Sequence, residues 1–308
     1  MRAIITGATG AIGTALIEEC INQNIEVLVF VRKESVRNGN LPEHELVTKL
    51  ECSMEELSGI ENATGKSWDV FYHLAWAGAS GPGRHDMYLQ NANVKYALDA
   101  VEAAKRFGCR RFIGIGSQAE YGLVEQGIKL SADTPVKPYM GYGYAKLCAG
   151  FMTRERATQL EMEHIWVRVL SVYGPNDGVN AMLPAAIKKL LNNEVPGFTK
   201  GEQQWDYLYS GDAAKALILV AQKGKNQKVY CLGSGQARPL YEYIDVLKNE
   251  TSPDGKVNLG EVPYGENQIM YLCANIDELT ADTGWKPETD FRTGIRRTIE
   301  KIKEKDLA

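Results

Sequence analysis

Apolar residues along this chain follow two rhythms. Ala3-Ile4-Ile5-Thr6 is a short apolar run of strand type, and Thr14 to Cys20 spaces its apolar side chains as an amphipathic helix does. Ile25 to Val31 is apolar again over a strand's length, so the chain opens as strand, turn, helix, strand. Leu46 to Leu50 reads as a third strand, Asp69 to Ala75 as a fourth and Arg111 to Gly116 as a fifth. Between the last two, Met87 to Phe107 has the length and pattern of a long helix, with Gly108 placed to close it. Strands that alternate with helices imply parallel pairing with helices on both faces: an α/β doubly wound sheet, with the first strand at its centre. In the second half of the chain Thr251 to Gly255 is the strongest loop signal.

The turn after the first strand holds Gly7, Gly10 and Gly13, with Thr9, Ala11 and Ile12 among the residues between them. Residues without a Cβ allow a tight reversal, let the backbone approach a pyrophosphate and bring the helix down onto the strand. The helix N-terminus then offers unpaired N–H groups and a partial positive charge to phosphates. A glycine triplet alone means no more than a flexible turn. Its place between a strand and a helix, with a second strand following, predicts a Rossmann-type dinucleotide site that uses Gly7, Thr9, Gly10, Ala11, Ile12 and Gly13.

The length of 308 residues is enough for one large α/β unit and a smaller lobe. A net charge of -4 gives no reason to expect nucleic acid or an anionic membrane as the main partner. No apolar run approaches the roughly 18 residues that span a bilayer. The first residues form a strand rather than a charged and then apolar leader, so no signal peptide is expected. The six cysteines are scattered without a CxxC pair, as free thiols in a reducing cytoplasm would be. None of the four histidines has another His or Cys at ligand spacing, so no metal is expected.

Candidate chemistry enters at Ser117, on the end of the fifth strand, and at Tyr142 and Lys146. The last two stand at i and i+4, which on a helix puts them on one face at roughly 5–6 Å between Cβ atoms. A free phenol, with a pKa of about 10, is a poor acid or base at neutral pH. A nearby ammonium favours the phenolate, and a serine hydroxyl can hold the same substrate oxygen. Among 15 tyrosines in 308 residues a Tyr-x-x-x-Lys arises by chance about once. Tyr142 is the only tyrosine here with Lys four residues on, and its position after the glycine turn and the strand-end serine gives the pair its meaning.

The GxxGxxG spacing, the frame Ser117-Gln118-Ala119-Glu120-Tyr121-Gly122, Tyr142 with Lys146, and Arg168 followed by Tyr173-Gly174-Pro175 together resemble the extended branch of the short-chain dehydrogenase/reductase family, of NAD-dependent epimerase/dehydratase type. Asp206-Tyr207 before Gly211-Asp212, Tyr230 to Gly235, and Gly284-Trp285-Lys286-Pro287 carry the likeness across the whole chain. The resemblance implies a Rossmann NAD(P)-binding domain over residues 1–172, with 206–232 returning to it, and a smaller C-terminal α/β substrate lobe over 173–308. It implies Ser117, Tyr142 and Lys146 as catalytic residues, and Leu74, Ala75, Trp76, Asn93 and Val172 beside the cofactor. It also implies a homodimer built on the helices around Met87 to Phe107 and Tyr142 to Gln159.

Arg32 and Lys33 end the second strand, where a site for unphosphorylated NAD places an Asp or Glu on the ribose hydroxyls. Two cations there would pair with a 2′-phosphate, which favours NADP(H). NAD(H) stays open if both are solvated surface charges and Glu34 turns inward. Members of the family mostly act on nucleotide-linked sugars, as 4-epimerases, 4,6-dehydratases or keto-sugar reductases. Gln118 and Ala119 stand where the dehydratases keep an acid and a base, and Glu120 comes one residue late, which argues against dehydration. The expected activity is reduction of the 4-keto group of a nucleotide-linked deoxysugar. The alternatives are an NAD-dependent nucleotide-sugar 4-epimerase, a reductase of a small carbonyl compound, and a non-catalytic NADP(H) sensor.

Gly78, in the glycine-rich stretch Ala77 to Gly83, and Arg84, Gln118, Glu120, Asn180, Lys188, Trp205 and Arg238 are the candidates for contact with the substrate. The glycine-rich stretch reads either as a loop that moves over a substrate or as a long connection. Trp205 occupies a place where many relatives carry an arginine on the sugar-nucleotide phosphates, and Pro263 to Gln268 also lacks one. A diphosphate would then fall to Arg84, Lys188, Lys189 or Arg238. Trp205 reads as a surface that stacks on a base or as a buried structural tryptophan, and His73 as a packed structural histidine.

Overall fold

The computed structural model describes residues 1–306, and its largest element is a seven-stranded parallel sheet. The strands are β1 (Arg2–Thr6), β2 (Glu26–Val31), β3 (Val47–Glu51), β4 (Val70–His73), β5 (Arg111–Ser117), β6 (Glu163–Val169) and, from later in the chain, β11 (Val229–Leu232), in the order β11-β6-β5-β4-β1-β2-β3. β1 lies one place from the middle, not in it, because β11 adds a strand beyond β6 and makes β4 the fourth of seven. The order reverses between β1 and β4, and in open α/β sheets ligands sit beyond the strand ends at that reversal.

Alternation along each strand decides the two faces. In β1 the side chains of Ala3 and Ile5 join one core and that of Ile4 the other; in β2 Val27, Val29 and Val31 go one way and Leu28 and Phe30 the opposite way. Helices α1 (Ala11–Asn22) and α5 (Ser210–Lys223) cover the first face, α2 (Met87–Arg106) and α3 (Gly141–Gln159) the second. Both cores are closed to solvent: Ile4, Ile5, Leu28, Phe71 and Phe112 are fully buried. β1 and β2 were readable as apolar runs because both of their faces are covered.

α2 starts where Asp86 accepts hydrogen bonds from the N–H groups of Tyr88 and Leu89, and stops at Gly108, whose φ of +80° suits a glycine. α3 begins with two poor helix formers, Gly141 and Gly143. A Cβ on Gly143 would lie 2.4 Å from the carbonyl oxygen of Ala119, so the glycine lets the first turn of the helix close on the end of β5.

The rest of the chain gathers around a third core of Tyr173, Leu183, Ile187, Tyr243, Ile244, Leu247, Ile295 and Ile299. Its helices are α4 (Met182–Leu191), α6 (Leu240–Thr251) and α8 (Phe291–Asp306), while α7 (Asp277–Thr283) packs Leu279 into the first core of the sheet beside α5 and β11. Its strands are short: β7 (Ser171–Tyr173) pairs with β10 (Tyr207–Tyr209), β8 (Gly197–Phe198) with β13 (Asn258–Leu259), and β9 (Gln204–Trp205) with β12 (Arg238–Pro239). Two buried carboxylates staple this part together. Asp206 accepts hydrogen bonds from the backbone N–H groups of Ser234, Gly235 and Ala274 and from the Ser234 hydroxyl. Asp212 accepts from the N–H groups of Glu288 and Thr289 and from the Thr289 hydroxyl.

Among the described residues no helix is long and apolar enough to cross a membrane. All six cysteines are free thiols, and only Cys148 is exposed.

Candidate active site

A long cleft opens beyond the C-terminal ends of the sheet strands. Its floor is the turn Thr6 to Gly10; its walls are Phe30, Val31 and Arg32 from the end of β2, Cys52 to Leu57 after β3, and Leu74 to Ala79 after β4. Its empty space, open solvent at the mouth included, is about 1480 Å³. Gly7 has a φ of +70°, and a Cβ there would lie 2.6 Å from the N of Ala75, so the turn presses directly on the chain leaving β4. Gly10 caps α1 and faces open space; no side chain caps the N–H groups of that helix end and its first turn holds no acid. An unclaimed, positively polarised helix end above a glycine turn fits a pyrophosphate. Ala11, Ile12 and Gly13 form the first helical turn behind it.

The cofactor candidates divide. Thr9, Leu74, Ala75 and Trp76 line the cleft along with the glycines, and Arg32 lines its far end, while Lys33 is exposed and does not reach it. Glu34 does not turn inward: it stands exposed at a φ of +59° outside the cleft. Ser35, Arg37 and Asn38 join Arg32 there, and the one carboxylate on the lining, Glu55, is hydrogen-bonded to Tyr96. Arg37 also donates to the carbonyl oxygens of Thr9 and Asn176 at 3.3 and 3.2 Å, tying the chain after β2 to the glycine turn. Val172 sits in β7 and packs on the main core.

Asn93 grips the chain rather than the open cleft: its side chain accepts from Ala77 N–H and donates to Ala77 O, both at 2.9 Å. Gln90, one turn earlier on the same helix face, went unnoticed in the sequence. It accepts from the Trp76 indole N–H at 2.8 Å and donates to Gly78 O and Gly83 O at 3.0 and 2.8 Å. The glycine-rich stretch from Ala77 to Gly83 is thus pinned to α2 by two amides, and Gly78 lines the cleft within it. The i, i+3 spacing of Gln90 and Asn93 was the available signal.

Ser117, Tyr142 and Lys146 do converge. Ser117 is buried at the end of β5, and its hydroxyl accepts from Ala119 N–H and is hydrogen-bonded to the Tyr142 side chain. Tyr142 packs edge-on against Trp76, with ring centroids 6.2 Å apart. Burial pushes its phenol above the ordinary value; the bond to Ser117 and the charge of Arg84 act the other way, and Glu120 adds to the rise. Burial lowers the Lys146 amine to about 7, against an opposing pull from Glu120.

Lys146 stands near both Trp76 and Tyr142. A buried amine takes the nearest acceptor, and Lys146 Nζ donates to Ile115 O at 2.6 Å, lies 3.7 Å from the centre of the Trp76 ring and stands 5.9 Å from that of Tyr142. Arg84 is nearer, its guanidinium carbon 4.8 Å from the Tyr142 centroid.

A second recess has a lining of its own. Arg84, Gln118, Ala119, Tyr139, Met140, Trp205 and Asn267 to Ile269 line it, so three of the substrate candidates meet there. Trp205 serves both readings, since it also packs against the third core. Glu120 must be withdrawn from the substrate set. It is fully buried on the other side of the strand end, where it accepts from Ser117 N–H at 2.9 Å, Trp166 Nε1 at 3.0 Å and Arg168 Nε at 2.7 Å. Lys188 lies elsewhere, lining a hollow with Gly174, Asn176 and Asp177. Asn180 is exposed before α4 and lines neither recess; Arg238 is exposed opposite Trp205 in the β9–β12 ladder and does not line the second recess.

Residues 3–233 match the NAD dependent epimerase/dehydratase family. A putative UDP-glucose 4-epimerase of Methanocaldococcus jannaschii is 25% identical over 97% of this chain and 98% of its own. UDP-glucose 4-epimerase of Thermotoga maritima, solved with UDP-glucose, superposes with a TM-score of 0.88 at 20% identity over 100% of both chains. UDP-glucuronic acid 4-epimerase of Bacillus cereus, solved with UDP-glucuronic acid and NAD, gives 0.84 at 21% identity over 99% of both.

Proposed function

The chain belongs to the NAD dependent epimerase/dehydratase family, and from that membership we propose that it is an NADP(H)-dependent oxidoreductase that reduces the 4-keto group of a nucleotide-linked deoxysugar. The observation that carries the choice of cofactor is the far end of the cleft, where Arg32, Ser35, Arg37 and Asn38 gather and the one carboxylate on the lining is already bonded to Tyr96. The two guanidinium groups suit a 2′-phosphate, and the acceptors left there for ribose hydroxyls are uncharged, Asn38 Oδ1 and the Ser35 hydroxyl.

When bound, the dinucleotide supplies the hydride. The protein holds the substrate carbonyl between Ser117 and Tyr142, and the Tyr142 hydroxyl protonates the oxygen as it gains charge. Gln118 and Ala119 cannot exchange protons at neutral pH, and Glu120 is spent on Arg168; this supports a reductase or epimerase over a dehydratase. The aromatic wall at Trp205 and the lone charge of Arg84 support a base and an anionic linkage in the second recess.

A 4-epimerase is the second reading, favoured by the names of the relatives, one of which was solved with NAD. Denaturing freshly purified protein and identifying the released nucleotide separates the two. Near-stoichiometric NAD would overturn the reductase, whereas NADP, or an empty protein that prefers NADPH to NADH, would support it. Arg32→Asp should raise the dissociation constant for NADPH by about tenfold or more and leave that for NADH nearly unchanged; equal losses would remove Arg32 from the role. A screen of carbonyl compounds with NADPH would also expose a reductase for small substrates or a sensor without turnover.

We place the protein in the cytoplasm as a homodimer. Met87, Tyr88, Tyr144, Phe151 and Met152 leave large apolar side chains exposed on α2 and α3. Light scattering should return twice the chain mass, and a monomer would end that proposal.

A further inference from the structure

Trp166, in β6, fills a slot that three glycines leave open. It is 3% exposed, and its indole lies against Gly114 and Gly116 of β5 and Gly150 of α3. A Cβ on Gly114 would come within 2.3 Å of Trp166 Cζ3, one on Gly116 within 2.3 Å of its Nε1, and one on Gly150 within 2.9 Å of its Cε2. The His164 ring also stacks on it, with centroids 6.1 Å apart and planes 10° from parallel. A ring packed this closely keeps one orientation. In that orientation the indole N–H donates to Glu120 Oε1 at 3.0 Å.

The same carboxylate oxygen accepts from Ser117 N–H at 2.9 Å. Ser117 draws on it because of where the strand ends: β4 pairs with β5 only as far as Gly114, so Ile115, Gly116 and Ser117 have β6 alone as a strand neighbour. From the geometry we infer that Trp166 is a positioning residue for Ser117: through the shared oxygen of Glu120 it fixes the end of β5, and with it the serine hydroxyl beside Tyr142. Arg168 has a different part, since its Nε takes the second carboxylate oxygen at 2.7 Å and supplies the counter-charge. Gly116 makes the arrangement possible, because a Cβ there would also come within 2.4 Å of Glu120 Oε1. Trp166 lines neither the cleft nor the second recess, so any effect of its N–H on the reaction passes through Glu120.

The inference rests on Ser117 holding the substrate oxygen, as proposed above, and its test keeps the two apart. Trp166 is replaced by benzothienylalanine, which retains the shape and stacking of the indole but puts sulfur in place of the N–H, and separately by Phe. Protein labelled with ¹⁵N and ¹³C is compared by NMR without substrate, the Ser117 signals being assigned from Ser117→Ala. The amide and Cβ signals of Ser117 should move in both variants, while those of Ile4 and Leu28 inside the sheet stay in place. With NADPH and a carbonyl compound that wild type accepts, kcat should fall about tenfold, less than the roughly 10²-fold cost of a misplacement by about 1 Å, and the KM for NADPH should stay within about twofold. Lost ring packing alone would slow only the Phe variant, so full activity with benzothienylalanine would overturn the inference, as would unmoved Ser117 signals. If wild type turns over no carbonyl compound, the proposed reaction falls and the Ser117 signals alone decide the inference. Should the Phe variant not fold, the benzothienylalanine protein decides by the same two readouts.

Discussion

Tyr142→Phe should lower turnover by about 10²–10⁴-fold, the usual contribution of a positioned proton donor, and leave NADPH affinity within about twofold of wild type. The substitution deletes one oxygen and retains the ring. The edge-on contact with Trp76 and the face offered to Arg84 therefore survive, and Ser117 keeps its bond from Ala119 N–H. Loss of rate with intact binding is the signature of a group that acts only as charge develops on the substrate oxygen. The assay is single-turnover oxidation of NADPH with any carbonyl compound that wild type accepts, alongside a thermal melt to show that the fold is retained. A variant that keeps a tenth of the activity would remove Tyr142 from proton transfer and shift attention to a water held by Ser117.

Glu120→Ala should be the most damaging single change to stability among the residues around the site, at about 3–5 kcal/mol. The carboxylate is fully buried and is shared among Ser117 N–H, the Trp166 indole and Arg168. Arg168 is 5% exposed, and its other polar contact is the Tyr121 hydroxyl at 3.0 Å. Truncating Glu120 thus leaves a buried guanidinium without its counter-charge and a strand-end N–H without an acceptor, and each omission carries the full penalty of desolvation. Urea denaturation measures the loss. The double change of Glu120→Leu and Arg168→Met should recover much of it, because a buried pair replaced whole by apolar side chains leaves no orphan. A loss below about 1 kcal/mol for Glu120→Ala would mean that water or a side-chain rearrangement reaches the cavity.

These two residues mark how far the sequence could be read. The β1–turn–α1 unit was legible because each of its signals is local: an apolar run, three glycines at fixed spacing, an amphipathic stretch. Ser117, Tyr142 and Lys146 were legible as a set because a strand end and an i, i+4 pair restrict where side chains can go. The direction of Lys146 was not, since it depends on which carbonyl lies nearest after β4, β5 and α3 have packed. Glu120 shows the same limit. One residue along an irregular turn moves a carboxylate from the cleft to the far side of the strand, where Arg168, 48 residues on, receives it. Arg84, Lys188 and Arg238 were equivalent as cations in the sequence, and only the fold sets the first in the recess and the others outside it. The paired strands β8, β9, β12 and β13 have two residues each and so lack the length to show any alternation.

The staples at Asp206 and Asp212 bear on where this protein can be divided. The match to the family model ends at residue 233, and both acids lie before that limit. Every hydrogen bond described above for them comes from beyond it: Ser234, Gly235 and Ala274 for one, Glu288 and Thr289 for the other. A fragment trimmed to the residues that match the family model would strand two buried acids with no donors, although it would keep the whole sheet and the whole cleft above it. The segment after residue 233 is therefore part of the folding unit of the catalytic half. Grafting a different tail onto this sheet to change specificity would succeed only if the new tail returned N–H groups to the same two carboxylates.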